Sequence, residues 1–310
     1  MTHDSPSPVL IVGSMAFDDL DLPTGSARDV VGGSATYSAY AASVFAPVRL
    51  VAVVGDDFPA AELDRLAARG VDTSGVERAA GKTFRWAGRY DANLASRATL
   101  DTQLNVFASF HPKIPAAHRA TPLVLLGNIH PALQLEVLDQ LTSPKLVVAD
   151  TMNLWIDTEP KLLAQLLERV DLLVINEEEA RQLAGIHNIS RAAREIMTRG
   201  PRRLVIKRGE YGALLFDGGH PLFAPAFPLE DVIDPTGAGD SFAGAMIGWL
   251  AALGSTDADA LRQAVMVGSA AASYCVEAVG NARLCTLEAR EVRERLDAFR
   301  HLLYVPTPQG

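Results

Sequence analysis

The chain has 310 residues, of which 48% are hydrophobic, and a formal net charge of −9. That apolar content excludes a disordered chain and is enough for a large core. The acidic balance excludes a protein that grips duplex nucleic acid by its phosphates, which takes a basic surface.

In chain order, "MTHDSPSPVL" lacks the basic start and apolar stretch of a signal peptide. No run reaches the roughly 18–20 apolar residues of a membrane span. A cytoplasmic protein with neither nucleic acid nor membrane as partner is expected. Short apolar runs then recur as "VLIVGS" (9–14), "RLVAVVG" (49–55), "PLVLLGN" (122–128), "KLVVADT" (145–151), "DLLVIN" (171–176) and "RLVIKRG" (203–209), and each reads as a strand. Helical patterns lie between several of them, such as "PAAELDRLAARG" (59–70), ending in a glycine, and "PALQLEVLDQL" (131–141). Continuous apolar strands alternating with helices predict a mainly parallel sheet covered on both faces.

Residues 82–107, "KTFRWAGRYDANLASRATLDTQLNVF", break that rhythm with β-branched and aromatic positions and turn residues near Asp91–Ala95. They predict a hairpin or small sheet apart from the core, paired with residues 15–31, and either a lid or an ordinary surface hairpin. Cys275 and Cys285 have neither a CxxC spacing nor a histidine partner, and read as reduced thiols. The last residues, "PTPQG", read as a loose tail.

The stretch "DPTGAGDSFAG" (234–244) carries chemistry. Gly237, Ala238 and Gly239 let a ligand approach the backbone, and a helix from Ala238 to about Leu253 would aim its free N–H groups at an anion. Asp240 in that first turn either complements the helix dipole or takes the proton from a hydroxyl attacking a phosphoryl group. There is no GxxxxGK[ST], and no GxGxxG follows the first strand. An esterase reading of "GDS" at 239–241, with Ser241 as nucleophile, fails because Asp297 and His301 have the wrong spacing for the acid and base.

"DPTGAGDSFAGAMI" resembles the C-terminal signature of the ribokinase-like, or PfkB, family of sugar and nucleoside kinases, without departure over its length. "GSMAFDDL", "VGGSATYSAYAAS", "VAVVGDDFPAAELDRLAARGVDTSGV", "DLLVINEEEA" and "LVIKRGEYGALLF" are similar to further family segments in the family's order, over about residues 9–285. The resemblance implies a three-layer α/β/α fold, with one kinase domain over 1–310 and a small β lid from about 15–31 and 82–107. It implies transfer of the γ-phosphate of ATP to a hydroxymethyl group of a small sugar, or alternatively of a nucleoside; inosine-guanosine kinase-like sequences are the most similar subgroup.

The resemblance also implies roles. Asp240 is the catalytic base, the N–H groups of Ala238, Gly239 and Asp240 form the anion hole, and the backbone from Gly237 to Asp240 holds the phosphoryl. Asp18, Gly32, Gly33 and Tyr37 bind the acceptor, and Asn176, Glu179, Lys207, Gly209 and Gly212 face the nucleotide. Glu179 holds Mg²⁺ through water, and Asp234 and Thr236 lie where family members hold K⁺. Tyr37 and Ala16 stand where many sugar kinases carry asparagine, and "DTMNLW" matches a "DxNxR" segment only loosely. With Phe84, Trp86 and Tyr90 on the lid, these changes suit either a site covering a flat base or a homodimer through the lid. A catalytically silent ligand sensor is the remaining class.

Overall fold

The computed structural model describes residues 6–94 and 96–303; "PTPQG" and Ala95 lie outside the described residues. The strands are β1 (Val9–Val12), β2 (Ala16–Leu22), β3 (Gly25–Gly32), β4 (Val48–Val54), β5 (Val71–Arg78), β6 (Phe84–Tyr90), β7 (Arg97–Gln103), β8 (Leu123–Leu126), β9 (Leu146–Ala149), β10 (Leu172–Asn176), β11 (Arg203–Lys207), β12 (Ala213–Phe216) and β13 (Leu222–Ala224). The helices are α1 (Ser34–Ser43), α2 (Ala60–Ala68), α3 (Pro131–Gln140), α4 (Asn153–Thr158), α5 (Pro160–Leu167), α6 (Glu177–Ala184), α7 (Ile189–Met197), α8 (Ala238–Leu253), α9 (Ala258–Cys275) and α10 (Ala289–Leu302).

Among the described residues the large sheet has nine strands, in the order β13-β12-β11-β10-β9-β8-β1-β4-β5. Every pairing from β5 across to β11 is parallel, and β12 and β13 add antiparallel. The inner strands β1, β8 and β9 read VLIV, LVLL and LVVA and are buried at every position. Such strands need cover on both faces, and two apolar clusters supply it. One gathers side chains of α1, α8, α9 and α10, the other those of α3, α5, α6 and α7. The result is the expected three-layer α/β/α arrangement.

Edge strands β5 and β13 escape the apolar-run reading. Val71–Arg78, VDTSGVER, is largely open to solvent and needs no continuous apolar face. The expected strand runs also overshoot at their C-terminal ends: "KLVVADT" stops pairing at Ala149, leaving Asp150 and Thr151 beyond it.

The second sheet has, among the described residues, four strands in the order β3-β2-β6-β7 and falls on the segments set apart by their sequence. Its centre is a parallel pairing of β2 with β6, in register Asp18↔Trp86 and Leu20↔Gly88. The long connection through the large sheet is what permits a parallel pair here.

Helix α8 lies against α1 through small residues. A Cβ on Gly244 would stand 2.3 Å from the Ser38 carbonyl oxygen. Gly244→Ala is therefore expected to cost about 1–3 kcal/mol by overpacking. The check is the urea midpoint, which should fall with an unchanged m-value.

Candidate active site

Three parallel strands deliver polar groups at their carboxyl ends. Asp150 follows β9, Asn176 ends β10, and Lys207 ends β11 in register with Asn176. In open α/β sheets this edge is where ligands bind. The Lys207 ammonium donates to Asp150 Oδ2 at 3.0 Å.

Asn176 caps α6 reciprocally: its Oδ1 accepts from the Glu179 N–H at 2.8 Å, and Glu179 Oε2 accepts from the Asn176 N–H at 2.7 Å. The capping box explains why NxxE occurs at a strand-to-helix junction. It also fixes Glu179, which is 5% exposed, beside Asp150 and Lys207. Burial first, and then the Asp150 charge, push the Glu179 carboxyl up to about 7. Burial alone would pull Lys207 down, but Asp150, Glu179 and Asp240 outweigh it and hold the ammonium charged.

The N-terminus of α8 faces this cluster. Gly237 is its N-cap with φ 75°, a left-handed conformation that glycine adopts without strain. A side chain there would also collide with the Tyr37 ring, 2.3 Å from a Cβ. Ala238 and Gly239 open the first turn, and a Cβ on Gly239 would stand 2.9 Å from Lys207 Nζ. The lysine thus lies against the helix mouth.

Asp240 follows in the same turn, its carbonyl accepting from Ser38 Oγ at 3.0 Å. Burial, then the Asp150 charge, raise the Asp240 carboxyl to about 7, with Lys207 and Arg97 opposing.

Asp18 reaches in from β2 and is 4% exposed. Gly32 makes room for it, since a Cβ there would stand 2.0 Å from Asp18 Oδ2. Gly33 follows as the N-cap of α1, with φ 91°. Burial, then the charges of Asp234 and Asp240, raise Asp18 to about 8.

Asp234 is fully buried, and its oxygens accept from the N–H groups of Thr236 (2.9 Å) and Gly280 (2.8 Å). Among the described residues no cationic side chain forms an ion pair with it. Thr236 Oγ1 and Tyr90 OH lie 2.9 Å apart, which ties β6 of the small sheet to the α8 loop.

The structure therefore gathers Asp18, Asn176, Glu179, Lys207, Asp234, Thr236 and residues 237–240 around one centre. Gly209 and Gly212 lie just beyond Lys207, in the turn joining β11 to β12. Tyr37 departs from the expectation that it faces a ligand. Its ring is sealed beneath Gly237, 1% exposed, and its hydroxyl is buried with no hydrogen-bond partner among the described residues. Phe84 stacks on Phe107, and Trp86 donates from Nε1 to Thr99 Oγ1. The aromatic residues expected to cover a flat base are thus largely engaged within the protein.

Ser241 is fully buried, and Asp297 pairs with Arg300 on α10, so no esterase constellation forms. Asp150 and Arg97 were not singled out as site residues by the sequence. Asp150 was open to discovery, because the strand-end logic that marks Asn176 and Lys207 applies equally to "VVADT".

Residues 10–286 match the pfkB family carbohydrate kinase pattern. The chain belongs to the pfkB family. Its members are phosphotransferases acting on hydroxyl groups of sugars and nucleosides, and this chain is such a kinase. It is 32% identical over 245 residues to a cytidine kinase of Thermococcus kodakarensis, covering 77% of this chain and 87% of the relative. Two solved structures share the fold of this pfkB kinase. A Burkholderia thailandensis nucleoside kinase in complex with inosine superposes with a TM-score of 0.76 at 20% identity, covering 97% of this chain and 100% of the other. A ribokinase from Cryptococcus neoformans in complex with ADP gives 0.77 at 22%, covering 93% and 99%.

Three carboxyls raised in the folded state bind protons more tightly folded than unfolded, so their contribution to stability is present below about pH 4 and is lost as pH rises towards 8. The ligand-free protein should melt at lower temperature at pH 8 than these groups allow at pH 5. Asp18→Asn should flatten that dependence and raise the melting temperature most at pH 8; scanning calorimetry across the range decides it.

Proposed function

We propose that this kinase transfers the γ-phosphoryl group of ATP to the primary hydroxyl on the ribose of a nucleoside. One observation carries the transfer: a carboxylate raised to about 7, Asp240, sits in the first turn of α8 while Lys207 lies against the same helix mouth. Base and anion cradle share one turn.

In this reading the acceptor hydroxyl donates its proton to Asp240 as its oxygen attacks the terminal phosphorus in line. The N–H groups at residues 237–240 and the Lys207 ammonium receive the charge that spreads over the phosphoryl oxygens. Those donors are fixed before ATP arrives, so they stabilise the transition state without reorganising. Asp18 accepts from the sugar hydroxyls beside Gly32 and Gly33, and the turn bracketed by Gly209 and Gly212 flanks the nucleotide. The small sheet acts as a lid that excludes water from the phosphoryl group.

Among the described residues no three His, Cys, Asp or Glu side chains are arranged to hold a metal ion. The buried oxygens of Asp150 and Glu179 nevertheless suit Mg²⁺, which keeps much of its hydration and takes its remaining ligands from phosphates. When bound, Mg²⁺ supplies charge neutralisation at the phosphates. Asp234, buried and without a cationic partner, fits a neighbouring K⁺ in charge. The exposed edge strand β7 is the part of the lid offered to a second copy of the chain. A kinase drawing on ATP belongs in the cytoplasm.

The nucleoside acceptor is supported by the cytidine kinase relative, matched over 87% of its length. A free sugar is the second reading, favoured by the match to the pfkB family carbohydrate kinase pattern.

ADP release from Mg·ATP with K⁺ across a panel of sugars and nucleosides tests the acceptor. Turnover on cytidine, inosine or another nucleoside is expected, and turnover confined to free sugars would replace it. Asp240→Asn should lower kcat by about 10²–10⁴-fold with ATP binding retained. Wild-type kcat/KM should fall tenfold per pH unit below about 7, because the base must be ionised.

A further inference from the structure

The small sheet has two faces with opposite charge arrangements. Its outward side carries Arg85, which pairs with Asp19 and Asp29, and Arg89, which pairs with Asp21. Those arginines are neutralised by carboxylates of the same sheet. The other side carries Asp18, Leu20, Trp86 and Tyr90, as the registers Asp18↔Trp86 and Leu20↔Gly88 and the two-residue repeat of a strand require.

Arg97 belongs to that second side, because it stands directly opposite Tyr90 in the β6–β7 ladder, and cross-strand partners project to the same face. Tyr90 shows where the face points: its hydroxyl meets Thr236 in the loop leading into α8.

Local packing holds the arginine there. The Trp86 ring lies over Gly88, where a Cβ would stand 2.1 Å from it, and the Arg97 guanidinium carbon is 5.7 Å from the Trp86 ring centroid. The side chain is exposed and, among the described residues, makes no ion pair with a carboxylate. Its positive charge nevertheless lowers the proton affinity of Asp18, Glu179 and Asp240, which come from three different elements around the centre. Lys207, the other cation at this centre, is committed to Asp150. The centre thus has an excess of carboxylates over cations, and a triphosphate entering it adds further negative charge.

We propose that Arg97 is a catalytic residue: carried on β7 and braced by Trp86 and Tyr90, it contacts the oxygens of the transferring phosphoryl group and stabilises their charge. The proposal rests on the kinase reading above. An arginine fork suits phosphoryl oxygens, and its delivery from the small sheet makes charge stabilisation conditional on that sheet covering the site.

The test uses Arg97→Ala, Arg97→Lys and, as an outer-face control, Arg89→Ala. With the acceptor that wild type turns over, Arg97→Ala should lower kcat and kcat/KM together by about 10²–10³-fold, as expected when a transition-state contact is lost. Arg97→Lys should recover part of that loss, and Arg89→Ala should stay within about threefold of wild type. A second readout needs no acceptor. Mg·ADP with aluminium fluoride, a planar mimic of the phosphoryl group, should raise the wild-type melting temperature beyond Mg·ADP alone. Arg97→Ala should lose that increment while keeping the Mg·ADP shift.

An unchanged kcat in Arg97→Ala, or a loss confined to acceptor KM, overturns the assignment and leaves the kinase reading standing. If wild type turns over no acceptor, the kinase reading fails, and the aluminium fluoride increment decides Arg97 alone. Its absence in wild type, or its persistence in Arg97→Ala, rejects the role.

Discussion

Everything at the centre of this protein follows from packing carboxylates where water does not reach them. Asp18, Asp150, Glu179 and Asp234 are all nearly or fully buried, and the half-buried Asp240 stands beside them at the mouth of α8. Isolated ionised carboxyls in such a place cost several kcal/mol each, and the protein answers in several ways. Lys207 pairs with Asp150, backbone N–H groups hold Asp234 and Glu179, and Asp18 and Asp240 hold their protons to unusually high pH. The cluster is held together by the surrounding sheet and helices in spite of its charges.

That constraint ties the fold to the chemistry. Parallel strands β9, β10 and β11 put their carboxyl ends side by side, so groups distant in sequence meet without any loop having to reach for them. The helix on the other side contributes free N–H groups and a proton acceptor from consecutive residues. A carboxyl near neutrality is what the proposed proton transfer at physiological pH requires, and Asp240 is raised to about 7 by burial and a neighbouring carboxylate.

Much of this was legible in the residues. Continuous apolar runs mark the inner strands because both their faces are covered, and the extent of α8 follows from the glycines bounding it, Gly237 and Gly254. The "DPTGAGD" segment could be placed because it combines small residues at a helix start with a carboxylate, whereas the NxxE segment was placed by its resemblance to the family. Edge strands β5 and β13 stayed hidden because solvent relaxes their pattern. Asp150 was within reach of the strand-end logic that marks Asn176 and Lys207, since it follows the apolar run of β9. Tyr37 misled because its position beside a glycine pair says nothing about which way its ring turns; the ring fills the space that Gly237 leaves empty. Arg97 was beyond reach, since its facing depends on the register of two strands and a bulge between Ala87 and Gly88.

The close seating of α8 has a further meaning for how such a protein changes over time. Backbone-to-backbone contact with α1 at Gly244, repeated at Gly248 against Ala42, leaves that helix no room to slide or turn. The half of the reaction common to every acceptor is therefore bolted to the core. The small sheet is tied to the core by Phe17 against Phe58, Phe84 against Phe107, the Tyr90 hydroxyl and the Asn281 amide on Val31, yet its exposed strand β7 is open to change. A lineage could exchange one acceptor for another by altering that sheet around Arg97, while inheriting the α8 half of the apparatus intact.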